Sequence, residues 1–296
     1  MSGEPWTHHE AEVNGVRLHW VEAGAGPVVL LLHGFPDFWL SWRRQIPALA
    51  EAGFRAVAPD MRGYNLSGKP RGVAAYHVEE LAKDVAALAS HLGAPRVSVV
   101  GHDWGGAVAW NLPRYYPDLV ERLVVLNSPH PAAFRRELGT LSQLRRSWYV
   151  FFFQLPWLPE ELLRANRAGF VKRVLRDDPV RPDAFTREEI ERFREAILLP
   201  GALTSALNYY RAVFRPRTAR LGFRSRRVGC PTLVVWGERD RYLGPGLLEG
   251  LDRWVTDLTV ERIPEASHWV HADAPEQVNR LLVAFLRPGP ESPEGR

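Results

Sequence analysis

The sequence is poorest in thiols: Cys230 is the single cysteine in 296 residues. Without a partner it forms no internal disulfide, so nothing in the chain requires an oxidising compartment, and one thiolate cannot alone build a zinc cage. Long apolar runs are missing too; no uninterrupted stretch reaches the roughly 18 residues that a membrane-spanning helix needs. The first residues, MSGEPWTHHEAEVNG, lack the basic patch and apolar run of a secretory signal. A soluble, cytoplasmic protein is the expectation. Lysine occurs only as Lys69, Lys83 and Lys172, so the basic charge is carried by arginine, which fits either ion-pair networks or genome composition. Net charge is small, 38 Lys+Arg against 34 Asp+Glu, and does not call for nucleic acid. What is plentiful is core material: 46% hydrophobic and 11% aromatic residues exclude disorder or a fibrous repeat for the whole.

Three parts follow from periodicity. Over residues 1–130, PVVLLLHG (27–34), FRAVAPD (54–60), RVSVVGHD (96–103) and ERLVVLNSP (121–129) read as buried strands. They alternate with helix-length segments at 40–53, 76–93 and 104–117. That alternation predicts a parallel sheet flanked by helices. From 131 to 229 no strand pattern survives; Leu-, Phe- and Ala-rich stretches broken by Pro and Gly read as an inserted helical cap. It holds 20 Lys+Arg against 10 Asp+Glu, leaving the rest of the chain acidic. Solvated helix faces and Arg–carboxylate pairing with the core account for this charge; steering of an anionic ligand is the other reading. The alternating style resumes over 230–287 with strands at 231–240 and 258–267 and helices at 244–255 and 274–287. The tail, 288–296, is expected to be disordered.

Residues 101–105, Gly-His-Asp-Trp-Gly, lie between a strand and a helix, the setting of a nucleophile elbow. Alone, such an aspartate is as readily a helix N-cap. Asp240 and His268, however, follow the later strands at the sheet edge where open parallel sheets bind ligands, in the order nucleophile, acid, histidine. His271 competes with His268. The alternative acid position after ERLVVL holds Asn127 and Ser128, neither an anion. The backbone N–H groups of Phe35, in His33-Gly34-Phe35-Pro36, and of Trp104 are placed to form an anion hole.

An aspartate nucleophile selects the substrate. Attack on an ester would give an anhydride, whereas attack on a saturated carbon gives an alkyl ester that water can cleave. His268, oriented by Asp240, would activate that water.

HGFP (33–36), GYNLS (63–67), GHDWGG (101–106) and the Asp240/His268 pair together resemble the epoxide hydrolase branch of the α/β-hydrolase fold, across residues 1–130 and 230–290. The resemblance implies an α/β core with a helical lid, no cofactor or metal, and an apolar epoxide and water as partners. Neither nucleic acid, which the small net charge does not call for, nor a membrane, for which there is no spanning run, is expected among the partners, and a homodimer is compatible with the sequence. WYVFFFQLP (148–156) and LNYYR (207–211) resemble the segments where this family keeps two lid tyrosines, which implies Tyr149 and Tyr210, with Tyr209 as rival for the second place. Two phenols suit an epoxide oxygen, since they stay protonated at neutral pH and can donate to the alkoxide. Aromatic residues at such spacing are also ordinary core. Phe35, Pro36, Trp39, Trp104 and Phe151 are the expected pocket lining.

GHDWGG occurs in haloalkane dehalogenases as well, but these commonly place Asn after the His-Gly pair, where this chain has Phe35. A fluoroacetate dehalogenase is expected to have Arg after the nucleophile, where Trp104 stands. A binding protein on this scaffold would have little reason to keep three polar residues at strand ends, and a serine esterase would need a Ser at the elbow.

Overall fold

In the computed structural model, which describes residues 5–215 and 227–287, the chain opens with a hairpin. Strands β1 (Thr7–Val13) and β2 (Val16–Ala23) pair antiparallel from Thr7↔Glu22 to Val13↔Val16. Asn14 and Gly15 make the turn with φ of 48° and 67°, the positive pair a two-residue hairpin requires. The reading of strands only from residue 27 onward is thereby corrected. THHEAEV is an edge strand, mostly exposed, so it carries no apolar run.

Six further strands complete the sheet: β3 (Val28–Leu32), β4 (Arg55–Pro59), β5 (Val97–His102), β6 (Val120–Leu126), β7 (Thr232–Gly237) and β8 (Leu258–Ile263). Their order is β1-β2-β4-β3-β5-β6-β7-β8, with every pair beyond β2 and β4 parallel. Strands β3, β5 and β7 are buried throughout, which explains their near-continuous Val and Leu composition. Helix α1 (Gln45–Glu51) packs on the last helix, Pro275–Leu286, and α2 (Val78–His91) on α3 (Trp104–Tyr115). The helix expected over 244–255 is not formed. Its glycines break it into two short 3-10 turns, Pro245–Leu248 and Leu251–Arg253, with Gly250 left-handed between them. The tail 288–296 lies outside the described residues.

Between β6 and β7, which are neighbours in the sheet, the described residues are helical: α4 (Pro131–Glu137), α5 (Leu141–Arg146), α6 (Trp148–Phe152), α7 (Leu158–Asp177), α8 (Arg187–Leu198) and α9 (Ala202–Val213). Helix α7 is broken at Ala165–Ala168, where Asn166, Arg167 and Ala168 are left-handed. Arg194 of α8 donates to the carbonyls freed there at Asn166 and Arg167. An excursion that leaves and returns through adjacent strands can stand over their ends without disturbing the sheet.

Specific bonds hold the insertion down. Tyr209 donates its hydroxyl to the Arg62 carbonyl (2.7 Å), and Ser205 Oγ donates to the hydroxyl of Tyr76 in the core (2.7 Å), whose own proton goes to the Pro70 carbonyl (2.7 Å). Ion pairs between insertion and core are present, and in two of them the arginine belongs to the core and the acid to the insertion. Arg43 forms a two-pronged pair with Glu189, and Arg241 meets Asp178. Insertion arginines Arg136 and Arg146 instead donate to core carbonyls of Gly246, Glu249 and Asp240.

Within the insertion, Arg211 of α9 is buried and binds Glu160 with both terminal nitrogens (2.6 and 2.9 Å) and the carbonyls of Phe153 and Leu155. This knot clamps α6 and α7 to α9. Replacing Glu160 by Ala strands a buried guanidinium, so urea denaturation should show a loss of about 3–5 kcal/mol. A loss below about 1 kcal/mol would mean that solvent relieves the charge.

Candidate active site

The loops after β5, β7 and β8 bring polar side chains to one place. Asp103, at the turn from β5 into α3, has φ 50° and ψ −119°, a conformation costing a non-glycine residue of order 1–3 kcal/mol. The glycines around it make that turn achievable. A Cβ on Gly105 would lie 2.0 Å from the Leu32 carbonyl oxygen, and one on Gly101 would lie 2.5 Å from that of Gly105. Ser128 Oγ, after β6, donates to the Asp103 carbonyl at 2.7 Å.

The loop after β3 closes over the carboxylate. Phe35 N–H donates to Asp103 Oδ1 at 2.8 Å, and a Cβ on Gly34 would fall 2.2 Å from that oxygen. His33 fixes the loop: Met61 N–H donates to its Nε2 (2.9 Å), so Nδ1 carries the proton and donates to the Gly34 carbonyl (2.9 Å). Burial lowers the His33 pKa, outweighing nearby carboxylates, and the ring stays neutral. Pro36 follows Phe35 through a cis peptide bond.

His268, in the loop after β8, lies between two carboxylates. Its Nδ1 donates to Asp240 Oδ2 at 2.7 Å, and its Nε2 is 3.6 Å from Asp103 Oδ2. Burial alone would lower its pKa; Asp240 and Asp103 override that and push it up to about 10. Burial works against ionisation of Asp240 as well, but His268, Asn127 and the Leu243 N–H hold its carboxyl below the usual range. Asp103 is likewise held low against its burial by His268, His102 and the Phe35 N–H.

Asn127 and Ser128, set aside on sequence because neither is an anion, turn out to hold the acids in place. Asn127 donates to Asp240 Oδ2 (2.8 Å) and to the Gly237 carbonyl, and accepts from Gly237 N–H. Both follow a buried strand at the ligand-binding edge of the sheet, a signal that was present. The N–H groups of Tyr242 and Leu243 saturate Asp240 Oδ1 at 2.7 and 2.9 Å.

Aromatic rings cover the acids. Tyr149 and Tyr210 stand edge to face with centroids 5.9 Å apart; Tyr210 packs on Trp104 (4.9 Å) and Phe35 (5.7 Å). Burial, reinforced by the charge of Asp103, raises the pKa of both phenols well above the ordinary value, so both remain protonated. Tyr209 points away, into the bond with Arg62 that anchors α9.

Two expected lining residues sit elsewhere. Phe151 is 43% exposed against Phe214 on the outer surface, which corrects its assignment; Tyr149 and Phe153, four apart on one helical face, point inward instead. Phe153 packs on Phe35 and Tyr210, and Phe170 stacks on Phe35. Trp39 packs among Trp6, His8 and Phe38 in the core, its N–H donating to Asp60. Tyr242 was overlooked: its ring meets both Tyr149 and His268, and its hydroxyl meets Asp178 of the insertion.

Behind His268, His102 Nε2 donates to the His268 carbonyl (2.9 Å). Its Nδ1 faces Asp37 Oδ2 at 3.6 Å, and His271 closes the group. Among the described residues, these three are the side chains whose ligand atoms converge enough to share a metal ion. A two-histidine, one-carboxylate set would suit a divalent transition ion. Burial lowers the His271 pKa well below normal, and its ring contacts are His102 and Trp42, not Asp103.

A sequence profile of the alpha/beta hydrolase fold matches residues 27–275. The chain is 39% identical to the AB hydrolase superfamily protein YfhM of Bacillus subtilis, over 93% of this chain and 96% of that one. It is 39% identical to Epoxide hydrolase 3 of Xenopus tropicalis, covering 93% of this chain and 76% of the relative. The epoxide hydrolase of Bacillus megaterium, solved in complex with an inhibitor, superposes with a TM-score of 0.85 at 33% identity, covering 94% of this chain and 99% of that one.

The elevated His268 pKa depends on two carboxylates. Replacing Asp103 by Asn should lower it from about 10 toward the ordinary 6.5, read by NMR titration of the ring nitrogens. Since the folded value lies above 6.5, the stabilisation is complete below that pH and is lost as pH rises through about 10. The native protein should therefore lose more stability than the Asn variant over that window. An unchanged titration would show that Asp103 does not act on the ring.

Proposed function

This chain belongs to the α/β-hydrolase fold family, in its epoxide hydrolase branch, and from that premise we propose that it converts an apolar epoxide and water to a vicinal diol through an ester on Asp103. The observation that carries the reading is the facing pair of phenols, Tyr149 and Tyr210, close enough to Asp103 for its charge to raise both pKa values. An alkoxide is a poor leaving group and needs a positioned acid, which two buried, protonated phenols supply.

The two oxygens of Asp103 divide the work. Oδ1 is held by Phe35 N–H, while Oδ2, on the His268 side, attacks the epoxide carbon. The C–O bond of the ring breaks, and a phenol gives its proton to the oxygen. Ester formation removes the Asp103 charge, so the His268 pKa falls and its proton restores the phenol. Neutral His268, oriented by Asp240, then takes a proton from water, and the hydroxide adds to the Asp103 carboxyl carbon. Oδ1 bears the resulting negative charge toward Phe35 N–H and, in the same hole, Trp104 N–H. Collapse releases the diol and returns Asp103 ionised beside a charged His268, so epoxide and water are consumed and nothing else changes.

The insertion over 131–229, helical among its described residues, serves as the cap that brings both phenols over the core, with Phe35, Pro36, Trp104, Phe153 and Phe170 lining the apolar side. The protein acts as a soluble enzyme needing no cofactor. No helix among the described residues is long and apolar enough to cross a membrane.

Incubation with styrene oxide and with 1-bromobutane in parallel tests the reading: diol should form and bromide should not. Tyr149→Phe or Tyr210→Phe should slow diol formation at least tenfold, and the double change by about 10³ or more, the scale of general acid catalysis. A fully active double variant would exclude the phenols as acids, and bromide release alone would assign the chain to dehalogenation.

A further inference from the structure

Water meets large apolar side chains mainly on one part of this molecule. Of the ten exposed large hydrophobic residues among those described, nine lie between Leu141 and Phe214, the exception being Leu66. They are patterned. Leu141, Leu144, Trp148, Phe151 and Leu155 recur at intervals of three and four along α5, α6 and the turn beyond, which is the spacing of one helical face. Val150 and Phe153, between them, are buried, so the segment presents apolar side chains both to the interior and to the outside. Trp148 is 62% exposed, and Trp157, at the start of the next helix, is 69% exposed; large apolar side chains concentrated in this way on one surface segment mark a site of interaction.

Charge identifies the partner. The insertion holds 20 Lys+Arg against 10 Asp+Glu, and the remainder of the chain 18 against 24. Arg145 lies within the stripe, exposed between Leu144 and Trp148; beyond it Arg164 pairs with the exposed Glu161, and Arg167 is exposed one turn on. Trp, Phe and Leu on one face, rimmed by arginine, match the chemistry of a helix lying in the plane of an anionic lipid surface, its rings at headgroup depth. Two copies meeting through these faces would bring like charge against like charge, which disfavours a dimer there.

We propose that the outer face of α5 and α6 docks on an anionic lipid surface. The expectation of no membrane partner rested on the absence of a spanning run and does not bear on a face assembled from residues three and four apart. Helix α6 carries Tyr149 on its inner side and Trp148 on its outer side, so docking sets the cap between the lipid phase and Asp103. An apolar substrate dissolved in lipid would then reach the enzyme without crossing bulk water. The docking itself does not depend on the assignment of the reaction, and its test reads binding alone.

The test uses the full chain in flotation with vesicles of phosphatidylglycerol and phosphatidylcholine in equal parts, and with phosphatidylcholine alone. The protein should float with the first and at least fivefold less with the second, and added salt should release it. Tryptophan emission should shift to the blue on binding. Leu144→Glu with Trp148→Glu alters only exposed side chains. It should abolish flotation while the thermal unfolding midpoint and diol formation in solution stay unchanged. Absence of flotation from mixed vesicles would overturn the proposal. So would equal, salt-insensitive flotation from neutral vesicles, or light scattering showing a dimer that the double change dissolves.

Discussion

Everything at this site hangs on how closely backbone can approach backbone under Asp103. The aspartate sits at φ 50° because β5 must turn into α3 within one residue, and Gly101, Gly105 and Gly34 each leave a gap that a single methyl group would overfill. The strain is fixed by neighbours: Ser128 on the Asp103 carbonyl, Phe35 N–H on one carboxylate oxygen and His33 bracing the loop between them. A side chain held in this way needs no reorganisation when charge moves across it, and such preorganisation is where much of catalysis originates.

The second consequence concerns charge. Two buried carboxylates flank one buried imidazole, and each is tolerable only because the others are ionised. Neutralising Asp103, as ester formation would, removes one of the two charges that keep His268 protonated and would turn it into a base at the moment a base is needed. Above this charged set lies an almost wholly aromatic roof. Its position is fixed by polar bonds set back from the rings: Arg211 with Glu160, Gln154 with the Tyr210 carbonyl, and Tyr209 with Arg62.

Much of this was legible in the sequence. The α/β-hydrolase fold announced itself through β-branched runs ending in polar or glycine loops, and Asp103, Asp240 and His268 sat at the ends of those runs. What escaped had physical reasons. The first hairpin is an exposed edge whose signal is turn chemistry, Asn14-Gly15, rather than apolar periodicity. The helix read over 244–255 contained enough leucine but too much glycine. Phe151 belongs to the outer face because a helix rotates about 100° per residue, so of the aromatic run Tyr149 and Phe153 share the inner face and Phe151 does not. Asn127 was passed over because charge was sought where hydrogen bonding was required.

The central claim is that Asp103 is a nucleophile and His268 the base that releases its ester. The most direct measurement is intact-mass and peptide mass spectrometry of the His268→Gln protein after exposure to styrene oxide. A mass increase equal to one epoxide, located on the peptide containing Asp103 and absent from the Asp103→Asn protein, is the predicted result. Diol formation by the Gln variant with the peptide unmodified would mean that water attacks the epoxide directly and would contradict the account.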